Sequence, residues 1–110
     1  MESMEFYKLF ISYWGKKASM VRFSKEKKMI SCTLYDSFPL RCGLGGNYGT
    51  FEGGIVASDG TVISEFCGGE LSINKDIQSI LDNFMMIENY CRLRLPDKFL
   101  VEYDKIIDGN

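Results

Sequence analysis

Near Asn74 the apolar period of the chain changes from two residues to that of a helix, which restricts the chain to folds in which strands come first and helices follow. Beyond that point Ile77, Ile80, Leu81, Phe84, Ile87, Cys91 and Leu95 fall within an arc of about 120° at about 100° per residue, a stripe wide enough to cover one face of a sheet. Asn74 is the expected N-cap, with Asp76 close to the positive end of the helix dipole. Met86, Tyr90 and Leu93 recur on the opposite side and need a cover of their own. The segment after Pro96 is expected to supply it, because Phe99, Leu100, Tyr103, Ile106 and Ile107 again have helical spacing and Gly109 can end the helix.

Before Asn74 the pattern alternates. Residues 4–14 place Tyr7, Leu9, Ile11 and Tyr13 on one side and Phe6, Lys8, Phe10 and Ser12 on the other, and their aromatic and β-branched content predicts a strand with both faces covered. Gly15-Lys16-Lys17 reads as a turn, 18–23 as a second strand, 24–28 as a polar turn and 29–35 as a third strand, with Ile30, Cys32 and Leu34 sharing a face. Residues 55–58 and 61–66 flank Asp59-Gly60, a two-residue hairpin signal. The expectation is therefore an α+β fold: one domain over residues 1–110, with an antiparallel sheet of about five strands (meander plus hairpin) followed by two C-terminal helices.

Between Cys42 and Gly54, six of the 13 residues are glycine, which predicts a loop or a strongly bulged strand edge. Neither phosphate-binding fingerprint fits: Tyr48 stands where G-x-G-x-x-G needs its last glycine, and no Gly-Lys-Ser/Thr follows. The glycines are read as serving bulges and tight bends, and no nucleotide or other cofactor is expected.

The chain contains no histidine, so the usual general base at neutral pH and the commonest metal ligand are both missing. Cys32, Cys42, Cys67 and Cys91 include no C-x-x-C pair; they read as small core hydrophobes, not as a zinc site, although Cys42 and Cys67, beside glycines, would be reactive if exposed. Glu52, Glu65 and Glu70 form either a carboxylate pair for acid–base work or a solvated acidic rim, and with no nucleophile–base pair to name we expect no catalysis. No uninterrupted apolar run is long enough for a bilayer and no export signal is visible, so a cytoplasmic protein without membrane contact is expected.

Charge is distributed unevenly. Residues 1–50 hold eight Lys/Arg against four Asp/Glu, whereas residues 51–110 hold five against eleven. The bases cluster in two turns, Lys16 and Lys17 in one and Lys25, Lys27 and Lys28 in the other, which a meander places about 20 Å apart; they make no single patch, and nucleic acid is not the expected partner. Tyr48, Phe51, Glu52, Asp59, Glu65 and Glu70 instead combine aromatic anchors with negative charge, the make-up of a surface that docks on a basic partner.

In size, acidity, lack of histidine and small α+β make-up, the chain resembles the cytosolic immunity proteins of bacterial contact-dependent growth inhibition systems. The likeness covers overall character and no shared motif, so no family site is carried over. It implies a one-to-one complex with a cognate toxin domain, often a basic nuclease, in which Glu52, Asp59, Glu65 and Glu70 would imitate phosphates by charge. The expected function is thus a non-catalytic protein-binding inhibitor; the alternative is a small RNA-binding or regulatory domain using the Lys-rich turns with Tyr13, Trp14 and Phe23.

Overall fold

The computed structural model describes residues 1–66 and 69–108. In chain order the elements are α1 (Ser3–Trp14), a 3-10 turn (Gly15–Lys17), β1 (Ala18–Ser24), β2 (Met29–Leu34), β3 (Phe38–Gly43), β4 (Glu52–Val56), β5 (Val62–Ile63), β6 (Glu65–Phe66), β7 (Gly69–Glu70), α2 (Ile77–Leu93) and α3 (Asp97–Asp108). Strands β1 to β5 form an antiparallel sheet in sequential order, and β6 pairs with β7 in a separate two-stranded ribbon. The fold is α+β, with the expected five-stranded antiparallel sheet followed by two C-terminal helices.

The first segment departs from the sequence reading. Residues 4–14 are helical, and Phe6, Phe10 and Trp14, spaced four apart, form its buried stripe. Alternation and helical spacing both fit a segment with aromatics on every side; docking decides between them. Here the helix gains the face of Phe84 on α2, whose ring meets Phe6, Phe10, Tyr13 and Trp14 at centroid distances of 5.4–6.0 Å. Gly15 ends α1 at a φ of 52°, its N–H donating to the Ile11 carbonyl.

The fifth strand comes from β3, a segment the sequence reading left unassigned. Its register with β2 pairs Ile30 with Cys42 and Cys32 with Leu40, so the inward residues of both strands face the helices. Part of the glycine-rich stretch is strand as well, since Gly53 and Gly54 lie in β4. A Cβ on Gly53 would strike the Arg41 carbonyl and one on Gly54 the Ile63 carbonyl, so the two glycines let β3, β4 and β5 close on one another. The hairpin turn holds three residues, Ser58-Asp59-Gly60, between Ala57 and Thr61, with Gly60 in the left-handed region at φ 88°.

Asp76, not Asn74, caps α2: its carboxylate accepts the Ser79 N–H at 3.0 Å. Asp76→Ala should lower the midpoint of a denaturation titration modestly, because the Ser79 N–H loses its acceptor at the helix end. Ile80, Phe84, Ile87 and Cys91 fill the core stripe of α2, and buried Asn83 among them exchanges two hydrogen bonds with the backbone of Ser72. The expected cover for the far side of α2 is only partly realised. Tyr90 packs on Phe66 and Phe38 instead of on α3, and Leu93 remains 76% exposed. Helix α3 docks elsewhere, through Leu100 and Tyr103, with the Tyr103 ring 5.1 Å from that of Tyr35 at the end of β2. Gly109 and Cys67 lie outside the described residues.

Candidate functional site

The face of the sheet turned away from α1 and α2 carries Arg22, Ser31 and Arg41 in one cross-strand row. Toward β5 the surface becomes acidic. A groove of about 310 Å³ runs between β4, β5 and β7, with Val62, Leu71 and Ile73 along it and Glu52 and Glu70 at its edges. Glu65 stands directly across the ribbon from Glu70. Through a side-chain hydrogen bond and its charge, it lifts the Glu70 carboxyl above its ordinary value. Like charges facing each other across strands oppose the pairing. Among the described residues no ion pair involves Glu52, Glu65 or Glu70. Val62 and Ile73 are exposed, at 41% and 65%.

Of the six residues expected to bind a partner, Glu52, Glu70 and Phe51 line this groove, and Glu65 faces Glu70 across the ribbon. Asp59 and Tyr48 lie elsewhere, and Phe51 is buried. Asp59 sits on the hairpin beyond the far end of β4, more than about 13 Å along the strand from Glu52, and its carboxylate is engaged by the Thr61 N–H and hydroxyl, which hold it below its usual range. Phe51 is 2% exposed with its ring against Phe6; it is a core residue that lines the groove from within and offers almost no surface to a partner. Tyr48 is 96% exposed, but among lysines: Lys25, Lys28 and Lys75 line the same concavity.

The aromatics of the alternative reading are not available either. Trp14 is buried, Tyr13 is half-buried and donates its hydroxyl to Glu88, and Phe23 packs on Tyr7. Cys42 is fully buried, so the exposure that reactivity requires is absent, and burial pushes the thiols of Cys32 and Cys91 up to about 12. Among the described residues, no group of three or more Cys, Asp or Glu side chains could hold a metal ion, and no helix is long and apolar enough to cross a membrane.

One cluster escaped the sequence reading. The Glu88 carboxylate accepts from Tyr13 at 2.9 Å, Lys17 at 2.9 Å and Tyr35 at 3.0 Å, and so ties α2 to α1, the 3-10 turn and the end of β2. Beside it, Arg92 makes a bidentate pair with Asp104 at 2.9 and 3.2 Å, joining α2 to α3. Partial burial works to raise the Glu88 carboxyl, but the hydrogen bonds from Lys17, Tyr13 and Tyr35 and the Lys17 charge outweigh it and hold the group below its ordinary value. The same burial, with Glu88 adjacent, raises Tyr13. The signal was present: Glu88 falls inside the apolar arc of α2, where an acid needs an internal partner. With every one of these groups committed to a neighbouring element, the cluster is a structural clamp.

The fold and the acid-edged groove thus define a small α+β protein with an open, charged surface on one side of its sheet. No family model, curated protein or solved structure matches the chain.

Proposed function

We propose that this protein is a non-catalytic inhibitor that binds another protein, an immunity protein that neutralises a cognate basic toxin by covering its active-site cleft. The observation that carries this reading is the groove: Glu52 and Glu70 beside apolar Val62, Leu71 and Ile73, with Glu65 across the ribbon from Glu70 and no cation paired to any of the three among the described residues. A lysine or arginine side chain entering there would relieve the Glu65–Glu70 repulsion while its methylenes cover Val62 and Ile73. That gain exists only in the complex, so the carboxylates favour association at a cost to the free protein.

The test is co-expression with the protein encoded by the adjacent gene, followed by co-purification. A one-to-one complex is expected, with Glu52→Lys and Glu70→Lys each weakening it about tenfold or more, since like charge replaces opposite charge at the contact. Glu70→Gln is expected to weaken binding while raising the melting temperature of the free protein at pH 7, because one of two facing charges is removed. A protein that elutes alone, or whose complex ignores both reversals, would overturn the proposal.

A further inference from the structure

The expected separation of the two lysine turns is correct as far as it goes, but the tertiary structure adds two groups to one of them. The β1–β2 turn, the loop after β3 and the approach to α2 converge on a concavity of about 550 Å³ lined by Lys25, Lys28, Lys75 and Tyr48, with Glu2 the one acid on its rim. Among the described residues neither Lys25 nor Lys28 is in an ion pair. Lys28, Leu44 and Gly49 also line a second groove of about 700 Å³ on the uncovered sheet face, whose walls include Lys27, Arg41, Glu26 and Glu52. The two hollows share these residues and adjoin; each is lined by three Lys/Arg side chains, but the Tyr48 hollow has one acid, Glu2, where the other has Glu26 and Glu52.

Tyr48 is the unusual member. It adopts φ 59° and ψ 26°, a left-handed conformation that bulky side chains rarely occupy, and it leaves its ring 96% exposed. The loop is nonetheless built: Lys75 donates to the Tyr48 carbonyl at 3.3 Å, the Thr50 hydroxyl to the Asn47 carbonyl at 2.8 Å, and the Gly46 N–H to the Thr50 carbonyl at 3.1 Å. The ring therefore stands on a held backbone, contributes nothing to the core, and shares its hollow with lysines from two separate segments, Lys25 and Lys28 from the β1–β2 turn and Lys75 from the approach to α2.

From this juxtaposition we infer that the Tyr48 loop is a binding site for single-stranded nucleic acid, with a base stacked on the Tyr48 ring and phosphates taken by Lys25, Lys28 and Lys75. An exposed aromatic face beside cations suits the alternation of base and phosphate, and the adjoining groove gives the strand somewhere to continue. The Tyr48 hollow shares no lining residue with the acidic groove and carries charge of opposite sign, although the larger groove it opens into meets the acidic one at Glu52, Gly53 and Val62; the inference does not rest on the toxin-binding reading.

Fluorescence anisotropy of a labelled twelve-nucleotide mixed-sequence RNA, titrated with the protein between 50 and 200 mM salt, tests it. Binding is expected to weaken with salt with a logarithmic slope of about −2, three lysines at about −0.7 each. Tyr48→Ala should weaken it about tenfold at unchanged slope, Tyr48→Gly likewise although it fits the left-handed backbone better, and Tyr48→Trp should retain it. The double variant Lys25→Ala/Lys28→Ala should bring the slope to about −0.7. Glu70→Lys should leave RNA affinity no lower while disrupting the toxin complex, so either reading can fail alone. Absence of binding at 50 mM salt, affinity unaffected by loss of the Tyr48 ring, or equal competition by a glutamate peptide of the same length would each overturn the inference, the last assigning the patch to an acidic protein.

Discussion

Phe84→Ala is expected to remove about 3–5 kcal/mol of stability, the usual cost of emptying a large aromatic site that cannot collapse. Phe84 has no exposed surface and lies where α1 and α2 meet, so its loss leaves Phe6, Phe10, Tyr13 and Trp14 around a void. Against a total stability of about 5–15 kcal/mol for a typical domain, this is enough to populate the unfolded state measurably. The urea midpoint should fall by about 2 M or more. Phe84→Leu, which refills most of the volume, should cost less than half as much. Phe99→Ala, at a position 37% exposed on α3, should cost under about 1 kcal/mol. A Phe84→Ala protein within about 1 kcal/mol of the parent would mean that α1 does not dock on α2 as described.

The second large effect concerns Glu88. Glu88→Ala leaves the Tyr13 and Tyr35 hydroxyls and the Lys17 ammonium without their common acceptor. The side chains of Lys17 and Glu88 are 30% and 20% exposed, so water compensates in part. The expected loss is about 2–3 kcal/mol, below the figure for a fully buried pair. In thermal melts this is a fall of roughly 8–15 °C for a domain of this size. Glu88→Gln, which keeps an acceptor but no charge, should lose about half as much. The dependence on pH follows from the direction of the shift. Because the folded protein holds the Glu88 carboxyl below its ordinary value, the contribution is complete above the unfolded value and is lost as pH falls through the folded one. Parent and Glu88→Gln stabilities, measured by urea titration from pH 7 to pH 3, should therefore converge at the acid end. Curves that stay parallel throughout would remove the charge from the explanation and leave only its packing.

Much of the architecture was legible because it rests on local period. The stripe Ile80, Phe84, Ile87 and Cys91 defined α2, the alternation of Ile30, Cys32 and Leu34 defined β2, and Asp59-Gly60 marked the hairpin. The N-terminal segment was misread because aromatics on all sides satisfy a period of two as well as one of four; only the presence of Phe84 opposite Phe6 and Phe10 makes the helix the better-packed answer. Strand β3 was missed for the opposite reason. Pro39, Arg41 and Gly43 interrupt its outward face, and it becomes a strand through pairing on both sides with β2 and β4.

The surfaces followed the same division. That the later part of the chain is acid-rich is a property of composition, but which acids act together is not. Glu52 and Glu70 line one groove because the Phe51 N–H donates to the Ile73 carbonyl and lays the segment after β7 beside the start of β4, and Glu65 faces Glu70 across the ribbon, while Asp59, nearer in sequence to Glu65 than Glu52 is, is carried off on the hairpin. Likewise Lys75 joins Lys25 and Lys28 from some fifty residues away. The sequence by itself determined the α+β class with a sheet ahead of two C-terminal helices, the helical core stripe and the lack of imidazole chemistry, all consequences of residue type and near-neighbour spacing. Only the tertiary structure decided that Phe51 is core, that Tyr48 stands among lysines and that Glu88 is clamped inside, because burial and electrostatics depend on distances through space, which short-range periodicity does not encode.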